Sequence, residues 1–234
     1  MELSDALRAR AAAHAALGDP LRLAIVEALA LSDFAPSELE ARFEVPSNLL
    51  AHHLRTLEQA GLTERRVSSG DHRRRYVVLT AAGRAMLPTP DRTLEAERVL
   101  FVCTANSARS PLAEAIWRQA GSEVDAASAG THPAKEVHPL AREAADRAGL
   151  HLAAHPSSLA ATWQPGDLVV TVCDQAHEEP GSHPADLHWS VPDPAAGGRP
   201  EDFEAALQVL EARVGTLLRH VRPRTRHRLP RAGE

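Results

Sequence analysis

Cys103 and Arg109 enclose Thr104, Ala105, Asn106, Ser107 and Ala108, and Ser110 follows directly. A loop of that length wraps its backbone N–H groups around one tetrahedral oxyanion when it joins a strand to the positive end of a helix. Thr104, Ala105, Asn106, Ser107 and Ala108 would supply the amides, and Arg109 would grip two equatorial oxygens in bidentate fashion. The same field would lower the pKa of Cys103 and make a thiolate nucleophile. Ser110 is placed to donate a hydrogen bond to that thiolate, and Asn106 to brace the loop. Far downstream, Asp193 lies between Pro192 and Pro194. A carboxylate on so rigid a loop would protonate a departing oxygen as general acid. A lone Cys-x5-Arg would equally fit a buried cysteine followed by a helix-capping serine.

The surrounding pattern decides between the two. Residues 99–102 are a short, fully apolar strand, and a helix is expected over about 110–120. A strand at 124–127, a helix at 139–148, a strand at 167–172 and a fourth at 187–191 follow. A long helix at 201–220 carries Phe203, Leu207, Leu210, Val214 and Leu217 on one side. Strands alternating with helices imply parallel β-α-β units with right-handed crossovers. The strand–loop–helix setting is the one the chemistry requires.

The first part of the chain is of another kind. Asp19-Pro20 reads as an N-cap and first helical residue, with Leu21, Ile25 and Leu29 along one face. Ser37 to Glu40 fits a capping box opening a short helix. Pro46 or Ser47 opens another, with Leu50, Leu54 and Leu57 as its apolar stripe and Gly61 as its stop. Residues 65–67 and 75–79 flank Ser68-Ser69-Gly70-Asp71 as a β-hairpin. The solvent side of the third of these helices carries Ser47, Asn48, Ala51, His52 and Arg55, which suit base edges in a major groove. The hairpin carries Arg65, Arg66, Arg73, Arg74 and Arg75, a cluster suited to phosphates or a minor groove. A small helical interaction domain with a solvated basic hairpin is the alternative.

Residues 17–25 and 51–62 resemble the opening and the recognition helix of ArsR-type winged-helix repressors, over about residues 10–86. That resemblance implies a homodimer on a pseudo-palindromic double-stranded DNA operator. No cysteine lies in this part, so the family's thiol sensor is not expected. Residues 102–110, 128–130, 167–173 and 188–194 resemble the low-molecular-weight tyrosine phosphatases, and within them the thioredoxin-type arsenate reductases. The fold this implies is α/β, a four-stranded parallel sheet with helices on both faces. Phosphotyrosine needs aromatic walls, yet Ala195-Ala196-Gly197-Gly198 follow Asp193 and no Tyr occurs after Tyr76. Cys173 stands where the reductases keep their second redox cysteine and would attack a Cys103–arsenic adduct. It is equally a buried strand residue. The reductases' third cysteine would fall on Pro180, so a three-cysteine relay is excluded, and an external thiol, mycothiol or thioredoxin, is expected as reductant.

The expected organisation is therefore a winged helix-turn-helix domain at 1–92, a linker at 93–97, an α/β catalytic domain at 98–221 and a basic, disordered tail at 222–234. The expected function is arsenate reduction, with a phosphatase or an oxyanion-sensing regulator without catalysis as alternatives. The chain has 234 residues and a formal net charge of -5, which is ample for two cores. Residues 1–95 are nearly balanced, with 12 basic against 13 acidic, whereas 96–218 have 8 against 17. No apolar run or leader pattern suggests a membrane or secretion, and a cytoplasmic location follows. The histidines show no ligand spacing, so neither metal nor tightly bound cofactor is expected.

Overall fold

The computed structural model describes residues 4–87, 93–179 and 184–224. Helix α1 (Asp5–Leu17) opens on Ser4, whose hydroxyl accepts the Leu7 amide at 3.3 Å. The sequence did not mark this alanine-rich helix. Helix α2 (Pro20–Leu31) begins as expected: Asp19 accepts the Arg22 amide at 3.0 Å and Pro20 takes the first position. Helix α3 (Pro36–Phe43) starts a residue before the expected capping serine. Ala35 is its N-cap, and Glu38 reaches back to accept the Ala35 amide at 2.7 Å. Helix α4 (Ser47–Gln59) ends before Gly61, whose φ of 69° is the left-handed conformation glycine allows. Strands β1 (Thr63–Val67) and β2 (Arg75–Leu79) pair antiparallel, Val67 opposite Arg75. Leu29, Leu39, Leu50, Leu54, Leu57, Val77 and Leu79 close this first core.

A short helix α5 (Ala81–Ala85) follows. Strand β3 (Leu94–Ala96) lies inside the expected linker. The catalytic half is then built from β4 (Arg98–Cys103), α6 (Arg109–Gln119), β5 (Asp125–Gly130), α7 (Pro139–Arg147), α8 (Leu159–Thr162), β6 (Asp167–Thr171), α9 (Asp174–Glu178), β7 (Leu187–His188), α10 (Pro194–Gly197), α11 (Pro200–His220) and β8 (Val221–Pro223). The sheet is parallel in the order β5-β4-β6-β7. Phe101 and the buried Trp117, Trp189 and Phe203 fill its faces, with Leu207, Leu210, Val214 and Leu217 of α11. Strand β7 is shorter than expected, because the chain turns away after His188 toward Asp193. Strand β8 pairs parallel with β3, Leu94 opposite Val221, so Arg222 and Pro223 belong to a strand rather than to the expected tail. Residues 225–234 lie outside the described residues.

The two halves share a buried junction. The Asp33 carboxylate accepts the Ser190 amide at 2.9 Å and forms an ion pair with Arg213 of α11, both side chains being buried. The Trp189 indole donates to the Leu31 carbonyl at 2.8 Å, and the Asp33 amide donates to the His188 carbonyl at 2.7 Å. Leu31 thus ends α2 inside the catalytic core. On the same side Tyr76 packs on His188 with ring centroids 4.5 Å apart.

Candidate active site

Cys103 ends the central strand β4, and Arg109 begins α6, so the expected loop joins a strand to a helix N-terminus. Four of the five carbonyls from Cys103 to Ser107 are taken. Thr131 donates to the Cys103 carbonyl, His132 to Thr104, Ala134 to Ala105 and His138 to Ser107, at 2.8–3.1 Å. Among the described residues, none of the backbone amides of Thr104, Ala105, Asn106, Ser107 and Ala108 goes to another backbone carbonyl. Backbone donors left over beside a helix N-terminus are a ready cradle for an anion. Asn106 holds the loop from within, at φ 47°. Its amide nitrogen donates to Ser110 and Ser128 hydroxyls, both at 2.9 Å, and its oxygen accepts the Ser157 amide at 2.7 Å. The Ser110 hydroxyl, which accepts from Asn106, lies 3.0 Å from Cys103 Sγ and 3.3 Å from the Ala129 carbonyl, so its proton has both within reach.

Gly130 is a residue whose role the sequence pattern alone did not expose. A Cβ there would stand 2.7 Å from the Thr104 carbonyl and 3.0 Å from the Asn106 nitrogen. The signal available was a glycine closing a strand beside the nucleophile's strand, where a backbone approaches closely.

Arg109 is almost fully buried. It donates to the Val191 carbonyl at 3.1 Å and faces Asp193 at 3.4 Å. Asp193 caps α10, accepting the Ala195 amide at 3.1 Å, and is half-buried. Cys103, the Arg109 guanidinium and the Asp193 carboxylate, the expected nucleophile, oxyanion grip and acid, thus border the same loop. Burial pushes the Cys103 thiol above its ordinary range, while Arg109 and Ser110 pull it down. The expectation of a lowered thiol is therefore corrected: removal from water outweighs the positive field. Cys173 lies just past β6, fully buried, its sulfur 3.3 Å from Thr104 Oγ1. Both cysteines are free thiols. Among the described residues no cluster of His, Cys, Asp and Glu could hold a metal ion.

The expected nucleic-acid residues fall in two groups. Ser47, Asn48, His52 and Arg55 are exposed on α4, with Ala51 partly so. The hairpin arginines are largely engaged. Arg65 pairs with Glu58, Arg66 with Glu64 and the Ser190 carbonyl, Arg73 with Asp71, and Arg74 with Glu38. Arg75 donates to the His72 carbonyl.

Residues 98–227 match the sequence profile described as low molecular weight phosphotyrosine protein phosphatase, and residues 17–66 match that of a helix-turn-helix domain. Arsenate reductase 2 of Staphylococcus saprophyticus is 36% identical over 110 residues, which are 44% of this chain and 82% of that protein. The arsenate reductase of Halalkalibacterium halodurans is 33% identical over 124 residues, 50% of this chain and 88% of that protein. Among solved structures, an arsenate reductase from Archaeoglobus fulgidus is 30% identical, covering 52% of this chain and 98% of that chain, with a TM-score of 0.46.

Proposed function

Because the chain belongs to the low-molecular-weight phosphotyrosine protein phosphatase family, with a helix-turn-helix unit ahead of that domain, we propose that it is an arsenate reductase fused to a DNA-binding regulator. The observation that carries this is the loop itself, with four of its carbonyls tied back, its amides spare, Cys103 at its head and Arg109 at its end. Arsenate enters the cradle, and Arg109 exchanges Asp193 for two oxyanion oxygens. Cys103 sulfur bonds arsenic, and the displaced oxygen leaves as water with the proton from Asp193. Cys173 sulfur then attacks Cys103 sulfur. The sulfur–arsenic bond breaks with its electron pair left on arsenic, so As(V) becomes arsenite while two thiols become one disulfide. An external thiol, thioredoxin or mycothiol, returns the disulfide to thiols.

What favours arsenate over a phosphotyrosine is the wall beyond Asp193. Pro194, Gly197, Ala205 and Ala206 line the adjoining hollow, with no aromatic ring to flank a phenol. A cytoplasmic location suits this chemistry, because that compartment keeps such thiols reduced. Among the described residues no helix is long and apolar enough to cross a membrane. The α4 face of Ser47, Asn48, Ala51, His52 and Arg55 is assigned to the major groove, with Arg73, Arg74 and Arg75 of the hairpin beside it, two copies of the chain binding a pseudo-palindromic operator.

Arsenite formation by the wild type, Cys103→Ser and Cys173→Ser, each with thioredoxin and mycothiol systems, tests the reading. Loss in Cys103→Ser with both reductants supports it. Aryl phosphate turnover far above arsenate turnover in the wild type would replace it with phosphatase activity.

A further inference from the structure

The turn of the β1–β2 hairpin is clamped onto α9. Asp174 accepts the Ser69 amide at 2.8 Å and the Ser69 hydroxyl at 3.2 Å. Glu178 accepts the Ser68 and Tyr76 hydroxyls, both at 2.8 Å, through one oxygen and the Asp71 amide at 2.7 Å through the other. Gly70 lets the turn lie flat there, since a Cβ would meet Glu178 at 2.5 Å. Helix α9 starts at the residue after Cys173. A cleft of about 490 Å³ opens between the two parts, bounded by Asp71 and Arg73 on the hairpin and by Thr104 and Glu178 on the catalytic side.

Val102 pairs with Thr171 across β4 and β6, so Cys103 and Cys173 extend neighbouring strands. Val172 therefore stands opposite Cys103, and Cys173 lies one residue beyond it. With strands about 4.8 Å apart and a rise of about 3.3 Å per residue, the two cysteine Cα atoms are about 6 Å apart, inside the roughly 4.4–6.8 Å range of a disulfide. Cys173 sulfur now faces Thr104. Bonding to Cys103 turns it away, and the first turn of α9, with Asp174, moves with it. Hydrogen bonds of the clamp do not survive displacements much beyond a few tenths of an ångström.

We propose that closing a Cys103–Cys173 disulfide releases the hairpin from α9, so that the state of the catalytic site sets how firmly the helix-turn-helix unit holds DNA. This rests on the reductase reading of Cys173. The two thiols give up two electrons and two protons; the electrons reduce As(V) to As(III), and one arsenate oxygen departs as water. Release also separates Arg74 from Glu178, 3.9 Å away, and takes the hairpin off an acidic helix. Both changes favour phosphate contacts.

The test is hydrogen exchange of residues 66–76 in the full-length chain, followed by mass spectrometry. Three samples are compared: reduced, treated with one equivalent of arsenate without reductant, and oxidised with diamide, a two-electron thiol oxidant. Intact mass after alkylation reports the disulfide. The disulfide form is expected to exchange about tenfold faster across the hairpin, with α4 unchanged and Cys173→Ser unresponsive. Glu178→Gln should loosen the hairpin while reduced. Affinity for a random-sequence duplex of about 30 base pairs should rise at least about threefold on oxidation. Equal hairpin protection in the reduced and disulfide forms overturns the proposal, as does failure of both reagents to close the bond, or unchanged DNA affinity after release. If diamide closes the bond and frees the hairpin but arsenate does not, the switch stands and the reductase reading falls.

Discussion

Cys103 is held where its thiol is harder to ionise than in water, so the nucleophile is made at a cost that hydrogen bonds must offset. Burial raises the thiol's pKa, and Arg109 and Ser110 oppose that. Since only the thiolate attacks, kcat/KM for arsenate should climb with pH through and beyond the ordinary thiol value of about 8.5. Ser110→Ala removes a bond to a charged acceptor, of about 1.5–3 kcal/mol, and should carry that limb about one to two units higher. A pH–rate profile of both proteins, level between the neutral and alkaline arms, would contradict it. Gly130→Ala should push a methyl against the Thr104 carbonyl and weaken phosphate binding by calorimetry about tenfold, of the order of 1.4 kcal/mol. Gly121→Ala is the control: its φ of 67° makes any side chain strained, but no neighbour lies within 4 Å, so stability falls while phosphate affinity holds. At this scale much was legible. The loop is contiguous in sequence, so its spacing exposes it, and Asp193 is announced by its prolines. The upward push of burial on the Cys103 thiol was not legible, because it depends on what packs over Cys103.

Among the elements, the five-residue α9 has consequences well beyond its length. Burial works against the charge of Asp174, yet the His188 imidazole at 3.1 Å and the Ser69 amide hold its carboxyl below the ordinary range. A depressed carboxylate stabilises the fold above its unfolded pKa, about 3.9, and loses that contribution as pH falls through its lower folded value. Asp174→Asn should therefore lower Tm at neutral pH and flatten the acid limb of Tm against pH, measured by thermal unfolding from pH 7 to pH 3. An acid limb as steep as that of the wild type would show that the carboxylate contributes nothing. His177, stacked on His188, is pushed down to about 3 by burial and by His188, so it stays neutral beneath Tyr76 at neutral pH. The long helices and apolar strands could be read from periodicity. Helix α1 could not, because an alanine-rich segment has little contrast between its faces. Strands β3 and β8 are three residues each, too short for alternation to register, and their pairing joins segments far apart in the chain.

At the scale of the whole molecule, the two halves behave as one body through Asp33 and Arg213. Each lies in a different half, and neither position carries a local signal, which is why the sequence separates the domains cleanly but says nothing of their union. Breaking a buried pair strands one charge, at about 3–5 kcal/mol. Arg213→Ala should lower the stability of the full chain by that order and split a single calorimetric transition into two. One unsplit transition at unchanged Tm would sink this account. The Trp189 indole on the Leu31 carbonyl and the Asp33 amide on the His188 carbonyl add further ties across the junction, while the β3–β8 pair fastens the end of the catalytic half to its own first strand. A chain cut by an engineered protease site between residues 87 and 93 should then give two fragments that co-purify and keep arsenate turnover. The joint in this fusion is thus more than a leash: with Asp33 locked on Arg213 and Trp189 on Leu31, a change that disturbs one half is carried into the other through packed, hydrogen-bonded groups and not only along the chain.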